Sequence, residues 1–344
     1  MPEQTSLILP APVAAVTHPQ VTVIIPCYNE EATIGLLLKA LARQTYPPEK
    51  MEILVADGMS TDNTRQEIIA FQHQHPELLV HIIDNPRRNI PAGVNTAISQ
   101  AQGEYIIRLD AHSEPYPDYI ELCVSALEAE KGDNVGGVWE IKPGGDGWFA
   151  RSIAYAAAHP LGVGDARYRL GGKAQAVDTV PFGSFHRDLF KRVGLFDETL
   201  LTNEDYEFNV RVRNSGGVVW FDPAIRSVYY ARSDFKSLTR QYFRYGYWKG
   251  KMLRRYPHTI RWRQFLPPAF ISSLAILGLL SMIAPTARWV LMIELGMYLA
   301  ILIVGGVLLS VKQKQPSLVI GFPLAVATMH LSWGSALLWS LVRK

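Results

Sequence analysis

The chain has 344 residues and a net charge of +3 at neutral pH, which allows one large domain or two moderate ones. Its two cysteines, Cys27 and Cys123, exclude a disulfide framework and are typical of a protein from a reducing compartment. The opening sequence MPEQTSLILPAP lacks a basic region and a long apolar core. It therefore excludes a cleaved secretory signal and predicts a flexible N-terminal tail over residues 1–19.

Residues 20–231 alternate short β-branched runs with helical periodicity, which predicts βαβ units. Strands are expected at 21–25, 51–56, 80–83 and 105–109, and helices at 30–43, 61–72 and 91–101. The predicted fold is a doubly wound, mostly parallel α/β sheet. No G-x-G-x-x-G follows the first strand and no P-loop motif occurs, so dinucleotide-binding and P-loop functions lose their main support.

Acidic and polar residues follow several of these strands. Asp110 and His112 come directly after the fourth strand, and residues two apart in an extended segment point the same way. Ligands of open α/β folds bind at this edge of the sheet, so the pair predicts a divalent metal site. The alternative is that both side chains bond loop backbone. Acidic and amide groups follow the first two strands, and they suit the hydrogen-bond donors of a nucleoside base and ribose. The phosphates of such a nucleotide would then be neutralised by the metal.

A basic, aromatic segment, residues 232–263, precedes the C-terminal region. It carries ten of the 34 Lys and Arg residues and one of the 31 acids, which predicts an anionic partner or a membrane surface. Apolar stretches at 264–287, 289–311 and 315–342 are each long enough to cross a bilayer. We therefore expect an interfacial segment at 232–263 and about three transmembrane helices in 264–344. Nucleic-acid binding is disfavoured.

Charge also predicts the orientation in the membrane. Lys312 and Lys314 lie between the second and third apolar stretches, so the positive-inside rule places them and the basic segment in the cytoplasm. The expected location is the cytoplasmic membrane, multi-pass, with residues 20–231 facing the cytoplasm. Arg343 and Lys344 then fall on the opposite side, against the rule. Pro267 and Pro268 shorten the first stretch, which leaves a re-entrant or interfacial segment as an alternative.

An ordered set of motifs extends over residues 20–250. It comprises Pro26-x-Tyr-Asn-Glu, Asp57-Gly-x-Ser-x-Asp-x-Thr, Asn95 through Gly103, Leu109-Asp-Ala-His, Gly183-Ser-Phe-x-Arg and Glu204-Asp-x-Glu. The set resembles glycosyltransferase family 2 enzymes of GT-A fold. Within that family it is most similar to the membrane-anchored bacterial transferases of exopolysaccharide assembly, the succinoglycan type.

The resemblance implies an inverting transfer from a nucleotide-diphospho-sugar, with glucose as the candidate sugar, assisted by Mg²⁺ or Mn²⁺. The implied nucleotide-binding residues are Pro26, Tyr28, Glu30, Asp57 and Asn95. Asp110 and His112 match the family's DXD metal site, with His in place of the second acid. Imidazole binds Mn²⁺ better than Mg²⁺, so the metal stays open.

Asp205 is the candidate catalytic base, and Glu204 is a second carboxylate that the resemblance makes the lesser candidate. Asn203 is expected to cap the helix that follows, and the helix dipole would favour ionised Asp205. A base is needed because an inverting transfer removes a proton from the acceptor hydroxyl. The alternative is a solvated acidic first turn made by Glu204, Asp205 and Glu207.

Four further residues are expected near the acceptor or the pyrophosphate. Gly183 and Ser184 would border the sugar pocket, with an ordinary turn as the alternative. Gln241 and Arg244 resemble the QxxRW element of processive members such as cellulose synthase, with Tyr245 in place of Trp. The alternative for this element is a positive membrane anchor. Trp139, Trp148 and Trp220 are expected in the core.

The expected acceptor is a polyprenyl-diphosphate-linked saccharide, because such a lipid is anionic and membrane-bound, and the loss of Trp at position 245 favours single addition. Two other functions compete. A sugar nucleotidyltransferase would need a glycine-rich, basic phosphate loop after the first strand, and PCYNEE is not one. A catalytically silent membrane scaffold or sugar-nucleotide-binding protein stays open.

Overall fold

A computed structural model describes residues 20–343. Nine strands form one central sheet: β1 Val21–Cys27, β2 Met51–Asp57, β3 Leu79–Asp84, β4 Tyr105–Arg108, β5 Glu114–Pro115, β6 Asn134–Lys142, β7 Gln175–Ala176, β8 Ser184–His186 and β9 Val219–Tyr230. The helices before the basic segment are α1 Ile34–Ala42, α2 Thr64–Gln74, α3 Ile90–Gln100, α4 Tyr119–Glu128, α5 Trp148–Ala157, α6 Pro160–Val163, α7 Arg167–Leu170, α8 Leu189–Val193 and α9 Glu204–Asn214. The C-terminal helices are α10 Phe235–Leu253, α11 Trp262–Leu280, α12 Pro285–Gln313 and α13 Leu318–Val342.

The sheet has a parallel half and a mixed half. Strands run in the order β3-β2-β1-β4-β8-β6-β9-β5, and β7 pairs with β9. The first four are parallel, as predicted. Beyond β4 the sheet is mixed, because β8 runs antiparallel to both β4 and β6. β8 has only three residues, too few to show a period in the sequence.

The register brings polar strand ends to one edge of the parallel half. Cys27 pairs with Asp57, and Asp57 pairs with Asp84. Side chains alternate between the two faces along each strand, so Ile24 and Ile25 enter different cores. Helices α1, α2 and α4 cover one face, while α3, α8 and α9 cover the other.

Three helices, α11, α12 and α13, are long and apolar enough to cross a membrane. They match the three predicted stretches, and Pro267 and Pro268 lie inside α11 without interrupting it. A Cβ at Gly334 of α13 would lie 2.7 Å from the Pro267 carbonyl, so this glycine allows α11 and α13 to pack closely. Half of the apolar window of α13 is buried, whereas α11 and α12 are mostly exposed.

The basic segment forms α10, which packs along α13. A Cβ at Gly250 would lie 2.7 Å from the Ser340 Cβ, so the two helices approach closely there. The Arg254 guanidinium donates to the carbonyls of Ser340 and Arg343. The end of α13 therefore lies beside the basic segment, which contradicts the expectation that Arg343 lies across the membrane from it. Lys344 and the predicted tail over 1–19 lie outside the described residues.

Candidate active site

Two loops meet at the carboxyl ends of β1 and β2, where the nucleoside pocket was predicted. Pro26 is buried within β1, and Tyr28 is 45% exposed just beyond it. A Cβ at Gly58 would lie 3.2 Å from the Tyr28 Cβ, so the second loop can pass close to the tyrosine. The backbone N–H of Asn29 donates to Ser60 Oγ at 2.9 Å. The predicted pocket wall is thus held by contacts between the loops.

Asp57 is fully buried, and both of its carboxylate oxygens are engaged. Ser60 Oγ donates to one oxygen at 2.5 Å, and Arg65 Nε donates to the other at 2.5 Å. Arg65 also pairs with Asp84, whose side chain is 63% exposed. Asp57 therefore fixes the loop, and a base or ribose would compete with Arg65 for it. No sequence motif marked Arg65 or Asp84 as part of this site, although Asp84 directly follows the strand predicted at 80–83.

Asp110, His112 and Glu30 lie together at the end of β4. His112 Nδ1 lies 3.3 Å from Glu30 Oε1, and this hydrogen bond raises the pKa of His112. Arg108 donates to one oxygen of Asp110 at 3.2 Å. Between residues 20 and 343, no three His, Cys, Asp or Glu side chains converge as a complete metal site. A divalent metal held by Asp110 and His112 would therefore need further ligands from elsewhere, such as the oxygens of a bound diphosphate.

Arg108 links the predicted metal residues to the predicted base region. Its guanidinium donates to Glu204 at 2.9 Å, and both side chains are almost completely buried. Glu204 is thus committed to a buried ion pair and holds Arg108 in place. In this structure the Glu204 carboxylate is occupied by Arg108, and its role as a second catalytic carboxylate stays a prediction.

Asp205 is the available carboxylate at the start of α9. Among residues 20–343 it makes no ion pair, and its side chain accepts only the Tyr206 N–H, at 2.7 Å. Burial and the neighbouring Glu204 raise the pKa of Asp205 to about 6. Desolvation therefore outweighs the predicted effect of the helix dipole. A carboxylate with this pKa can accept a proton near neutral pH.

Asn203 does not cap α9 as predicted. It adopts a left-handed conformation with φ of 65°, and its side chain makes no capping hydrogen bond. Its Nδ2 instead donates to the Tyr245 carbonyl at 3.2 Å. Asn203 therefore ties the start of α9 to α10.

Three predicted ligand-binding residues make contacts within the fold. The side-chain amide of Asn95 donates to the Phe196 carbonyl and accepts the Phe196 N–H, both at 2.9 Å, so it is taken up within the protein. Ser184 is fully buried between neighbouring strands. Gly183 has φ of 104°, and a Cβ there would lie too close to Phe185. These contacts occupy the polar atoms of Asn95 and bury Ser184, and the ligand-binding roles of Asn95, Gly183 and Ser184 stay predictions.

A cavity of about 700 Å³ connects this site to the C-terminal helices. Arg108, Asp110 and Asp205 contribute to its wall. The rest is lined by residues of the mixed half-sheet region, α10 and the apolar helices, including Trp139, Tyr168, Arg169, Tyr242, Arg244, Tyr245, Phe270, Tyr298, Leu302, Met329 and His330. A ligand in this cavity can reach the free carboxylate and apolar surface together.

Of the two residues predicted on α10, Arg244 faces the cavity and Gln241 does not. Arg244 lines the cavity, as its predicted role requires. Gln241 is buried behind the wall, where its Nε2 donates to the hydroxyls of Tyr229 at 2.9 Å and Tyr245 at 3.0 Å. Trp139, expected in the core, stacks on Tyr229 at 4.3 Å and lines the cavity. Arg169 lines the same cavity, although no sequence motif marks it.

The parallel half-sheet, the polar strand ends and the mixed extension define a GT-A architecture, which hosts transfer from nucleotide sugars. Residues 22–194 match the model of "Glycosyl transferase family 2", and the chain belongs to this family. The protein is therefore a glycosyltransferase, and the predicted family and fold are confirmed.

Relatives extend the match over nearly the whole chain. The "Succinoglycan biosynthesis protein ExoA" of Rhizobium meliloti is 31% identical over 315 residues, covering 91% of this chain and 92% of the relative. The "Dolichyl N-acetyl-alpha-D-glucosaminyl phosphate 3-beta-D-2,3-diacetamido-2,3-dideoxy-beta-D-glucuronosyltransferase" of Methanococcus voltae is 29% identical, covering 91% and 95%. The solved structure "Mannosyltransferase PcManGT from Pyrobaculum calidifontis in complex with GDP-Man and Mn2+" supports the fold, with a TM-score of 0.60, 22% identity and coverage of 94% and 91%.

Proposed function

We propose that the protein is an inverting, metal-dependent hexosyltransferase. It moves a sugar, with glucose as the candidate, from a nucleotide-diphospho-sugar to a saccharide linked to a polyprenyl diphosphate. The observation that carries this proposal is the unpaired carboxylate of Asp205 on the wall of a cavity that also borders apolar helices. Names of the relatives support lipid-linked substrates and exopolysaccharide synthesis.

In this mechanism Asp205 accepts the proton of the acceptor hydroxyl as that oxygen attacks the sugar from the face opposite the leaving diphosphate. A single displacement of this kind inverts the anomeric centre. Asp110 and His112 would hold Mg²⁺ or Mn²⁺, which stabilises the negative charge of the departing diphosphate. Arg108, held by Glu204, keeps Asp110 in position. Pro26, Tyr28, Glu30 and Asp57 form the nucleotide side.

Membrane attachment is part of the same proposal. Residues 20–231 form the catalytic domain on the cytoplasmic face of the cell membrane, 232–263 lie at the interface, and α11 and α12 cross the bilayer, while the end of α13 lies beside the interfacial segment. The ten basic residues of the 232–263 segment support this arrangement, because the cytoplasmic leaflet is anionic. A lipid-linked acceptor would then meet Asp205 without leaving the membrane surface.

The test is release of nucleoside diphosphate by the full chain in detergent, with a polyprenyl-diphosphate-linked sugar as acceptor. UDP-, GDP- and dTDP-sugars are compared with Mg²⁺ and with Mn²⁺. We expect acceptor-dependent release from one donor, and a loss of at least about a hundred-fold in Asp205→Asn. Asp188→Asn, an exposed carboxylate at the start of α8, is the matched control. Full activity in Asp205→Asn would refute the base, and donor binding without release from any donor would favour a silent scaffold.

A further inference from the structure

Arg169 is a buried cation without a counter-charge among residues 20–343. It lies in α7, is 8% exposed, and makes no ion pair or hydrogen bond through its side chain within the described part of the chain. A guanidinium stays protonated at physiological pH. Buried charges in proteins are normally paired, so an isolated buried arginine needs an explanation.

Aromatic rings surround this guanidinium. Its central carbon lies 5.0 Å from the ring of Trp139, 5.4 Å from Tyr168 and 5.5 Å from Tyr229. Cation–π contacts hold the side chain in place but leave its five N–H donors unsatisfied. Gln241 fixes this cage from behind through the hydroxyl of Tyr229. The arginine is thus positioned by packing and keeps its donors for a ligand.

The cavity around Arg169 has two kinds of wall. Asp205 lies on the wall formed by the catalytic domain, and Phe270, Leu302 and Met329 of the C-terminal helices form an apolar part. Arg108 and Arg263 also line the cavity but are paired with carboxylates, whereas Arg244 of α10 makes no ion pair among the described residues. A ligand complementary to this cavity has a saccharide hydroxyl near Asp205, an anionic group near Arg169, and an apolar chain against the C-terminal helices.

We propose that Arg169 binds a phosphate group of the diphosphate that joins the acceptor saccharide to its polyprenyl chain, with the chain lying between α11, α12 and α13. This inference rests on the proposed transferase function and adds the site that recognises the lipid phosphate. Of the residues proposed to hold the donor and its metal, Asp110 lines this cavity, but Tyr28, Glu30, Asp57 and His112 do not, so the donor diphosphate is the poorer occupant of the Arg169 site. Planar guanidinium groups suit phosphate because they can donate two parallel hydrogen bonds.

The test compares farnesyl phosphate with farnesol for binding to the full chain in detergent, with EDTA present so that no divalent metal contributes. The wild type should bind the phosphate at least about ten-fold more tightly, as expected for charge-assisted hydrogen bonds. Arg169→Met should lower that preference about ten-fold or more while leaving UDP affinity unchanged. Arg167→Gln, an exposed arginine of the same helix, is the matched control and should keep the preference.

Stability separates a binding role from a structural one. Methionine replaces a buried unpaired charge with an apolar chain, so Arg169→Met should melt at the wild-type temperature or higher. If it does not fold, Arg169→Gln is measured in the same way. An unchanged preference for farnesyl phosphate in the folded variant would overturn the proposal, and so would a loss of UDP affinity instead. A wild type that lacks transferase activity but whose phosphate preference depends on Arg169 would contradict the proposed function alone.

Discussion

The buried ion pair between Arg108 and Glu204 offers a quantitative test of the site. Arg108→Met removes the cation and leaves the Glu204 carboxylate buried, 2.9 Å from the lost guanidinium. Asp110 loses its 3.2 Å contact as well, but it is partly exposed and can be solvated. The main cost therefore falls on Glu204.

The structure sets the magnitude. At this separation, an effective dielectric constant of about 20 gives an attraction of roughly 6 kcal/mol. Removing one partner of a buried pair typically costs about 3–5 kcal/mol. Arg108 also has two buried nitrogens, Nε and Nη1, without a hydrogen-bond partner within residues 20–343, and their removal reduces the loss. We expect the free energy of unfolding to fall by about 3 kcal/mol.

Thermal unfolding of the purified chain in detergent, followed by tryptophan fluorescence, measures this effect. For a chain of 344 residues, a loss of about 3 kcal/mol corresponds to a melting temperature lower by roughly 4 °C. Arg108→Met combined with Glu204→Gln removes both charges and should recover most of the loss. The reasoning fails if the single variant melts within about 2 °C of wild type, or if the double variant is less stable than the single one.

Three other predictions concern the base, a turn and the membrane region. Since Asp205 in the free protein has a raised pKa of about 6 and must be ionised to accept a proton, kcat/KM should rise with pH through about 6 and then level off. A flat profile of kcat/KM between about pH 5 and 8 would contradict its role. Gly183→Ala should lower the free energy of chemical unfolding by about 2 kcal/mol because the residue has φ of 104°, whereas Gly35→Ala in the open face of α1 should raise it by about 0.5–1 kcal/mol. Equal effects of the two substitutions would exclude backbone strain at Gly183. Met282→Cys in the exposed turn between α11 and α12 should react with a membrane-impermeant thiol reagent on intact cells, and the two native cysteines should add little background because both are buried. Labelling only after permeabilisation would contradict the proposed orientation.

Local patterns were enough to predict the first half of the sheet and the C-terminal helices. A buried parallel strand appears in the sequence as a short apolar run, and a membrane helix appears as a long run without charges. Both signals are local, so they can be read without knowing the tertiary structure. Asp110 was singled out because it follows a recognisable strand end, whereas Asp205 became the candidate base through the resemblance to the family. The structure places both on the wall of one cavity.

The tertiary structure alone decided which polar residues are free to bind a ligand. Arg108 and Glu204 are 96 residues apart in the chain, and their pairing leaves Asp205 as the available carboxylate. Asn95 carried a family motif, yet its amide is used by a backbone segment 101 residues away. The sequence by itself determined the parallel half of the sheet and the apolar C-terminal helices, since these depend on neighbouring residues, and its ordered motifs indicated the type of chemistry. Partners distant in the chain decided the site, because a side chain already hydrogen-bonded within the fold cannot offer the same atoms to a substrate.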